Sequence, residues 1–432
     1  MNKHKVVILG AGVAGLAASY ECRKRNIDNI IIEKESDYGG LCGGFDIEGF
    51  HFDYFGHVEF EKDPYTRFIL EEGIDYYTHK PMSYNYDRGY WLKHPVQNNL
   101  YPLPVEEKIR HVKGFCDRKK VTNGEIDNYE EWLYSMYGYC FSNYYPKKYT
   151  RKYWTIEAKE LETSWVGERM YVPTIDEVLK GAMTSETPEV HYSKEARYPI
   201  YGGFKAFLKN LECGSNILFN ANVSNIDAES KTIELDGKII QYDTLISTIP
   251  LPELIDVLKN VPVSITNATN NLDYTTGVMV SVGLDIPDVG PSLWFYIYDE
   301  DIEPARVYAT HRKSINNVPN GYSGLQAEIY FSKYKPLEKP LEEIKCNVIE
   351  QLVKMGLFKT ENVLFSDVRM KKYANIMFTH GIQDNRKLIH RFLDSIGIDY
   401  AGRFGEWDYL WVGQSIRSGI DVADKIIREV NG

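Results

Sequence analysis

Three glycines near the start of the chain have the spacing of a phosphate cradle. Gly10-x-Gly12-x-x-Gly15 follows the apolar run Lys5-Val-Val-Ile-Leu9 and opens a helical pattern from Val13 to about Arg25. Asn29-Ile-Ile-Ile-Glu33 then reads as a second buried strand ending in an acid. Strand, glycine turn, helix, strand and acid form one βαβ unit, the arrangement that binds a dinucleotide. Gly10 permits the tight turn, Gly12 lets a pyrophosphate approach the backbone, and Gly15 lets helix pack on strand. The helix start adds unpaired N–H groups and the positive end of a dipole. Glu33, 18 residues beyond Gly15, is placed to accept hydrogen bonds from an adenosine ribose. Its charge would repel a 2′-phosphate.

A second glycine-rich element follows at once. Ser36-Asp-Tyr-Gly-Gly-Leu-Cys-Gly-Gly-Phe45 carries glycines at 39, 40, 43 and 44, where an NAD dehydrogenase would normally enter another helix. Backbone wrapped closely around a larger cofactor is the reading, with Gly39, Gly40 and Leu41 as contacts. This element resembles the flavoprotein group that includes amine oxidases, phytoene desaturases and UDP-galactopyranose mutases. FAD is therefore the expected cofactor.

The rest of the chain must position these groups. Its 432 residues exceed the usual span of one hydrophobic core, which implies two or three domains. From Pro104 to about Met183 the pattern is mostly helical, and Tyr129-Glu-Glu-Trp-Leu-Tyr-Ser-Met is amphipathic. Seven tyrosines fall between Tyr134 and Tyr153, interleaved with Lys147, Lys148, Arg151 and Lys152. Such interleaving can stack nucleobases, but tyrosines packing against the cofactor domain are the favoured reading. Ile217 to Pro250 alternates like strands, and its last run, Asp243 to Pro250, is expected to rejoin the nucleotide-binding sheet. Gly277 to Ser332 reads as an antiparallel sheet, a platform for a substrate pocket. Arg386–Leu393 is a helix candidate, Tyr400–Tyr409 a loop, and a final helix starts near Gln414. The expected fold is α/β: a Rossmann-type FAD-binding domain, a helical insertion and an antiparallel substrate domain. The expected boundaries are 1–90 plus 195–265 plus 385–432 for the first, 91–194 for the second and 266–384 for the third.

Bulk properties exclude some partners. With 50 Lys+Arg against 61 Asp+Glu, the net charge is −11, which argues against broad nucleic-acid or anionic-membrane binding. The longest uncharged apolar run, Val6 to Tyr20, has fifteen residues, short of the roughly 20 a spanning helix needs. Six scattered cysteines without a CxxC pair point to reduced thiols and a cytoplasmic location, and no metal site is expected.

Further motifs narrow the resemblance. Phe52-Asp-Tyr-Phe-Gly-His57 resembles an FD-x-GGH loop, and Pro95-Val-Gln-Asn-Asn-Leu100 a P-x-QNN segment. Trp165-Val-Gly-Glu-Arg169, Arg197-Tyr-Pro-x-x-Gly-Gly203 and Gly402-Arg-Phe-Gly-Glu-Trp-Asp-Tyr409 followed by Gln414 complete the set. In this order they resemble the UDP-galactopyranose mutases, closer to the eukaryotic branch and its bacterial relatives. The resemblance implies an enzyme that interconverts pyranose and furanose forms of a nucleotide-activated sugar. It implies reduced FAD as covalent catalyst, with flavin N5 attacking the anomeric carbon as the diphosphate leaves, and a role in polysaccharide biosynthesis. NAD(P)H or another reductant would maintain the flavin; the oligomeric state stays open.

Carried over residue by residue, Arg403 and Tyr409 match the pair that holds the diphosphate, and Arg306 a second diphosphate arginine. Tyr373 matches a further phosphate tyrosine, although Asn375 departs from the pattern nearby. Arg169 matches an arginine near the flavin, Gln414 a cofactor contact, and Gly56 and His57 the loop at the flavin edge. Phe55 stands where the family has glycine, and Trp411-Val412-Gly413 replaces polar residues. The competing readings are a flavin oxidoreductase of the amine oxidase or protoporphyrinogen oxidase type and a flavin-bearing binder of nucleotide sugar.

Overall fold

The apolar run near the amino terminus forms the middle of a seven-stranded sheet. In the computed structural model, which describes residues 2–119, 126–188, 190 and 194–431, Asn2–Leu9 pairs in parallel with Asn29–Ile32 and with Lys238–Ser247. Ile217–Leu218 extends one edge, Thr232–Leu235 and Val223–Asp227 the other, and Ile398–Tyr400 pairs in parallel with Lys238–Ser247. Val6, Val7 and Ile8 are fully buried because the sheet is covered on both faces, which is why the run lacks polar alternation. One cover is the helix Val13–Lys24 with the final helix Val412–Asn431 packed against it. Their backbones nearly touch: a Cβ on Gly419 would lie 2.1 Å from the Ala14 carbonyl oxygen. The 243–250 run rejoins the first sheet as expected. The 400–409 segment departs from a simple loop, with a short strand at Ile398–Tyr400 and a helical turn at Gly402–Gly405.

The second sheet runs in the order Val363–Ile376, Tyr274–Leu284, Ser323–Phe331, Arg306–Ala309, Trp294–Ile297, Ser83–Asp87, Tyr90–Lys93. Every pairing is antiparallel except that of Trp294–Ile297 with Ser83–Asp87. The strands at 83–93 thus join this sheet, whereas the sequence boundary at residue 90 leaves most of them in the cofactor domain. Their pattern hides the reason. Ser83, Asn85 and Asp87 are buried polar residues, while Tyr84, Tyr86 and Trp91 pack beside Phe295, with Trp91 and Phe295 centroids 5.1 Å apart.

Helices Val105–Cys116, Tyr129–Tyr144, Pro146–Tyr153 and Ile175–Met183 form the insertion. Asn128 caps the second by accepting the Glu131 N–H at 3.0 Å, and Thr174 with Glu177 forms a capping box on the last. The tyrosines at the end of this region pack differently from the expectation. Tyr145, Tyr149 and Tyr153 sit mainly against Tyr296, Tyr298 and Tyr330 on the side of the second sheet, and Tyr153 alone also reaches Tyr409 of the cofactor part. Helix Pro146–Tyr153 is tied there by Lys152, whose Nζ donates to the Ile297 and Asp299 carbonyls at 2.8 and 2.9 Å. The architecture is therefore α/β, with a Rossmann-type part, a helical insertion and a largely antiparallel second sheet.

Candidate active site

The two glycine elements meet. The Gly39 N–H donates to the Ala11 carbonyl at 2.9 Å, and a Cβ on Gly40 would lie 3.4 Å from Gly12 Cα. Gly10 has φ +95°, and a Cβ on Gly15 would strike the Gly10 carbonyl oxygen at 2.0 Å, so both positions require glycine. Gly12 differs: nothing lies within 4 Å of where its Cβ would be. Space is left beside the backbone there, at the start of an α-helix, as a pyrophosphate requires. Glu33 is buried, its Oε2 accepting the Ala11 N–H at 2.7 Å and its Oε1 the Glu35 N–H at 2.9 Å. These bonds hold the carboxylate in register and leave lone pairs for a ribose. Leu41 packs half-buried against the main core. The residues present fit a dinucleotide cofactor.

The Phe52–His57 loop is anchored by Asp53, which is fully buried. Its carboxylate accepts the Phe204 N–H at 2.9 Å and the Tyr198 hydroxyl at 2.8 Å, and it pairs with Lys313. Burial pushes the Asp53 carboxyl up, but Lys313 and His51 outweigh it and hold the pKa well below the usual range. This explains the Arg197–Gly203 motif: Tyr198 holds Asp53, and Gly203 (φ +65°) makes room for His51, whose Nε2 would lie 1.8 Å from a Cβ. Phe55 sits at φ +61° with its ring against Gly277 and Tyr330, occupying a left-handed position glycine would prefer. Gly56 lies flush on Tyr308, so that a Cβ would fall 1.6 Å from the ring. The His57 ring packs on Phe204, and its Nδ1 is buried without a hydrogen-bond partner among the described residues. Burial, with Lys313, Arg403 and Arg306 nearby, pushes His57 down to about 4 against the pull of Asp53, so it is neutral at pH 7. An orphaned imidazole nitrogen beside the cradle is what a bound cofactor edge would satisfy.

The arginines come together here. Gly402 packs on Ala14, where a Cβ would sit 2.6 Å from the alanine Cβ, and so delivers Arg403 beside the cradle. Arg403 also bears on Cys42, whose thiol burial pushes up to about 12 and leaves inert. Arg403 Nε donates to the Leu410 carbonyl at 2.8 Å, leaving both Nη nitrogens without a partner among the described residues. Arg403 and Arg169 lie over the Tyr409 ring, 5.2 and 4.6 Å from its centroid. Arg169 donates to the Trp165 carbonyl at 3.2 Å and to the Tyr409 carbonyl, so it braces this segment. Arg306 enters from the second sheet. Its Nε and Nη2 bond Glu328 Oε2 at 2.9 and 2.8 Å, and it lies 4.8 Å from the Tyr308 centroid and 5.8 Å from that of Tyr153. Burial opposes its charge, but Glu328 together with Tyr308, Tyr330 and Tyr149 outweighs burial and holds its pKa above the ordinary value.

Two residues fall outside this cluster. Tyr373 packs against Tyr274, Phe404 and Trp407. Burial pushes its hydroxyl up, helped by Glu253, Tyr274 and Asp256. Gln414 is exposed and accepts the Trp411 N–H at 2.9 Å, a helix-start role. Sequence reasoning missed Tyr153, whose hydroxyl donates to Asn375 at 3.0 Å and meets the Tyr409 hydroxyl at 3.3 Å. It also missed Glu328, a fully buried carboxylate and the one charged residue of the Ser323–Phe331 strand, and that charge was its only signal.

Residues 8–71 match the NAD(P)-binding Rossmann-like domain family. Over 99% of its length the chain superposes on 96% of the crystal structure of reduced UDP-galactopyranose mutase, with a TM-score of 0.92 at 23% identity. The two share one fold. A protein assigned as a protoporphyrinogen oxidase, from Exiguobacterium sp. 255-15, shares it more loosely (TM-score 0.77, 15% identity, 99% of each chain). Putrescine oxidase bound to putrescine does so again (TM-score 0.66, 16% identity, 99% of each chain). The resemblance read from the motifs thus holds at the level of fold, with mutase and oxidase both on the same scaffold.

Proposed function

We propose that this protein is an FAD-dependent mutase that interconverts pyranose and furanose forms of a nucleotide-diphosphate sugar. The observation that carries the reading is the convergence of Arg306, Arg403 and Tyr409 on the loop bearing His57, beside the dinucleotide cradle. A leaving diphosphate spreads charge over several oxygens, and guanidinium groups match it with planar pairs of donors. Arg403 offers both Nη nitrogens and Arg306 its Nη1, since their other donors are held by Leu410 and Glu328. Tyr153 and Tyr409 place two hydroxyls beside them. A reduced flavin held by the Gly10–Gly15 cradle would supply the nucleophile for the anomeric carbon. The chain's own residues retain the diphosphate so that it can return, and the packed tyrosines keep water from competing. His57, neutral at pH 7, completes the cofactor edge without adding charge.

The domain division given above is kept as a proposal, with residues 83–93 reassigned to the second sheet. An NAD(P)H-type reductant, a cytoplasmic location and a role in polysaccharide assembly belong to the same reading. Among the described residues no helix is long and apolar enough to cross a membrane. The test is incubation of dithionite-reduced protein with a panel of nucleotide sugars, followed by chromatography. Conversion of one of them to its furanose isomer is expected. A second reading, hydride abstraction by an oxidase, is favoured by the shared oxidase fold and by the tyrosines around Arg306. Stoichiometric amine consumption with flavin reduction, and no isomer from any sugar, would establish it instead.

A further inference from the structure

One carboxylate reaches both halves of the site. Glu328, fully buried on the Ser323–Phe331 strand, accepts the Gly56 N–H on Oε1 at 2.9 Å. Its Oε2 takes Arg306 Nε at 2.9 Å, Arg306 Nη2 at 2.8 Å and the Tyr330 hydroxyl at 2.6 Å. We propose that Glu328 is the positioning residue that fixes the Arg306 guanidinium and the Gly56 backbone as one unit. The inference rests on the reading of Arg306 as a diphosphate ligand.

The chemistry explains why the position needs a carboxylate. All four contacts are donors, and only an ionised acid offers acceptors on both oxygens. Glutamine has the same shape, yet its amide nitrogen must face either Gly56 or Arg306, donor against donor. No rotamer satisfies both sides. The charge matters as well, because an arginine among Tyr149, Tyr153, Tyr308 and Tyr330 would be costly without a counter-ion. Tyr308 completes the unit from the Arg306 strand by packing flush on Gly56. A shift of the Gly56 peptide and a shift of Arg306 are therefore mechanically linked through one side chain.

The test uses the flavin-loaded full chain with uridine diphosphate as probe, measuring its dissociation constant and the visible flavin spectrum. Glu328→Gln is expected to weaken the probe roughly tenfold or more in the native background and less than about twofold in an Arg306→Ala background, because the effect acts through Arg306. The flavin bands should shift in the native background, where the amide cannot satisfy Gly56 and Arg306 together. An equal loss of affinity in both backgrounds overturns the proposal. If Arg306→Ala alone leaves the probe's affinity unchanged, the diphosphate role of Arg306 fails, and the clamp stands only if Glu328→Gln still moves the flavin bands. Should Glu328→Gln not fold, Tyr330→Phe removes one donor and leaves the carboxylate. A two- to threefold weakening, absent in Arg306→Ala, then supports the link, on the order expected for one hydrogen bond, and an unchanged affinity overturns it.

Discussion

The two ends of the site are built in opposite ways. At the dinucleotide end, Gly10, Gly12, Gly15, Glu33, Gly39 and Gly40 fall within 31 residues, and the chemistry belongs to the backbone. At the end proposed to hold the diphosphate, Arg169, Arg306, Glu328, Arg403 and Tyr409 come from segments up to 240 residues apart, and the chemistry would belong to side chains. One end is a local conformation that glycines permit. The other is a meeting of two sheets and a helical insertion. Failure at the first should therefore abolish cofactor binding, while failure at the second should spare the cofactor and weaken the ligand.

The largest expected effect tests the first end. Gly15→Val drives side-chain atoms into the Gly10 carbonyl, already 2.0 Å from the Cβ position, and should cost about 3 kcal/mol or more. Protein purified without yellow chromophore and with a lowered Tm is the expected result. Gly12→Ala sharpens the contrast, since nothing lies within 4 Å of its Cβ position. Stability should change by less than about 1 kcal/mol, while affinity for FAD falls. Equal stability loss in both variants would break the distinction between packing glycine and ligand glycine.

Next in size is Arg403→Ala, expected to weaken nucleoside diphosphate by about 2 kcal/mol, roughly 30-fold, with flavin content unchanged. Loss of flavin instead would make Arg403 part of the cradle rather than of the diphosphate end. The pH dependence of stability probes the seam between the two. His57 titrates near 4 in the fold, below its ordinary 6.5, so between those values the unfolded chain binds one more proton than the folded one. Stability then rises with pH across that window, by at most about 1.4 kcal/mol per unit for a single group, and is lost on acidification from 6.5 toward 4. His57→Asn should flatten that slope in urea titrations at stepped pH; an unaltered slope would remove His57 from the buried edge. The smallest effect is that of Tyr373→Phe. Its ring packs among Tyr274, Phe404 and Trp407, so affinity for the diphosphate should stay within about twofold. A large loss would return Tyr373 to the phosphate site.

The same contrast governs what could be read from the chain alone. The glycine spacing, the acid at 33 and the second glycine cluster are short-range patterns with direct backbone consequences, and the sheet built on them followed. Arg306 was visible as a residue in a motif, but its partner was not. Glu328 looks like any acid in a strand, and only pairing with the Arg306–Ala309 strand sets the two opposite each other in register. The polar row Ser83, Asn85, Asp87 carries no apolar alternation to mark a strand for a related reason: only tertiary contacts bury it.

The sequence by itself determined the dinucleotide cradle, because glycines at fixed spacing restrict and permit backbone conformations within a few residues. It also determined the list of candidate arginines and their order along the chain. Only the tertiary structure decided which of them converge, that Tyr373 packs among Tyr274, Phe404 and Trp407 while Tyr153 meets Tyr409, and that one buried carboxylate joins the loop to the arginine. Those outcomes depend on long-range packing and on the cost of burying charge without a partner. Spacing along a chain carries no record of either.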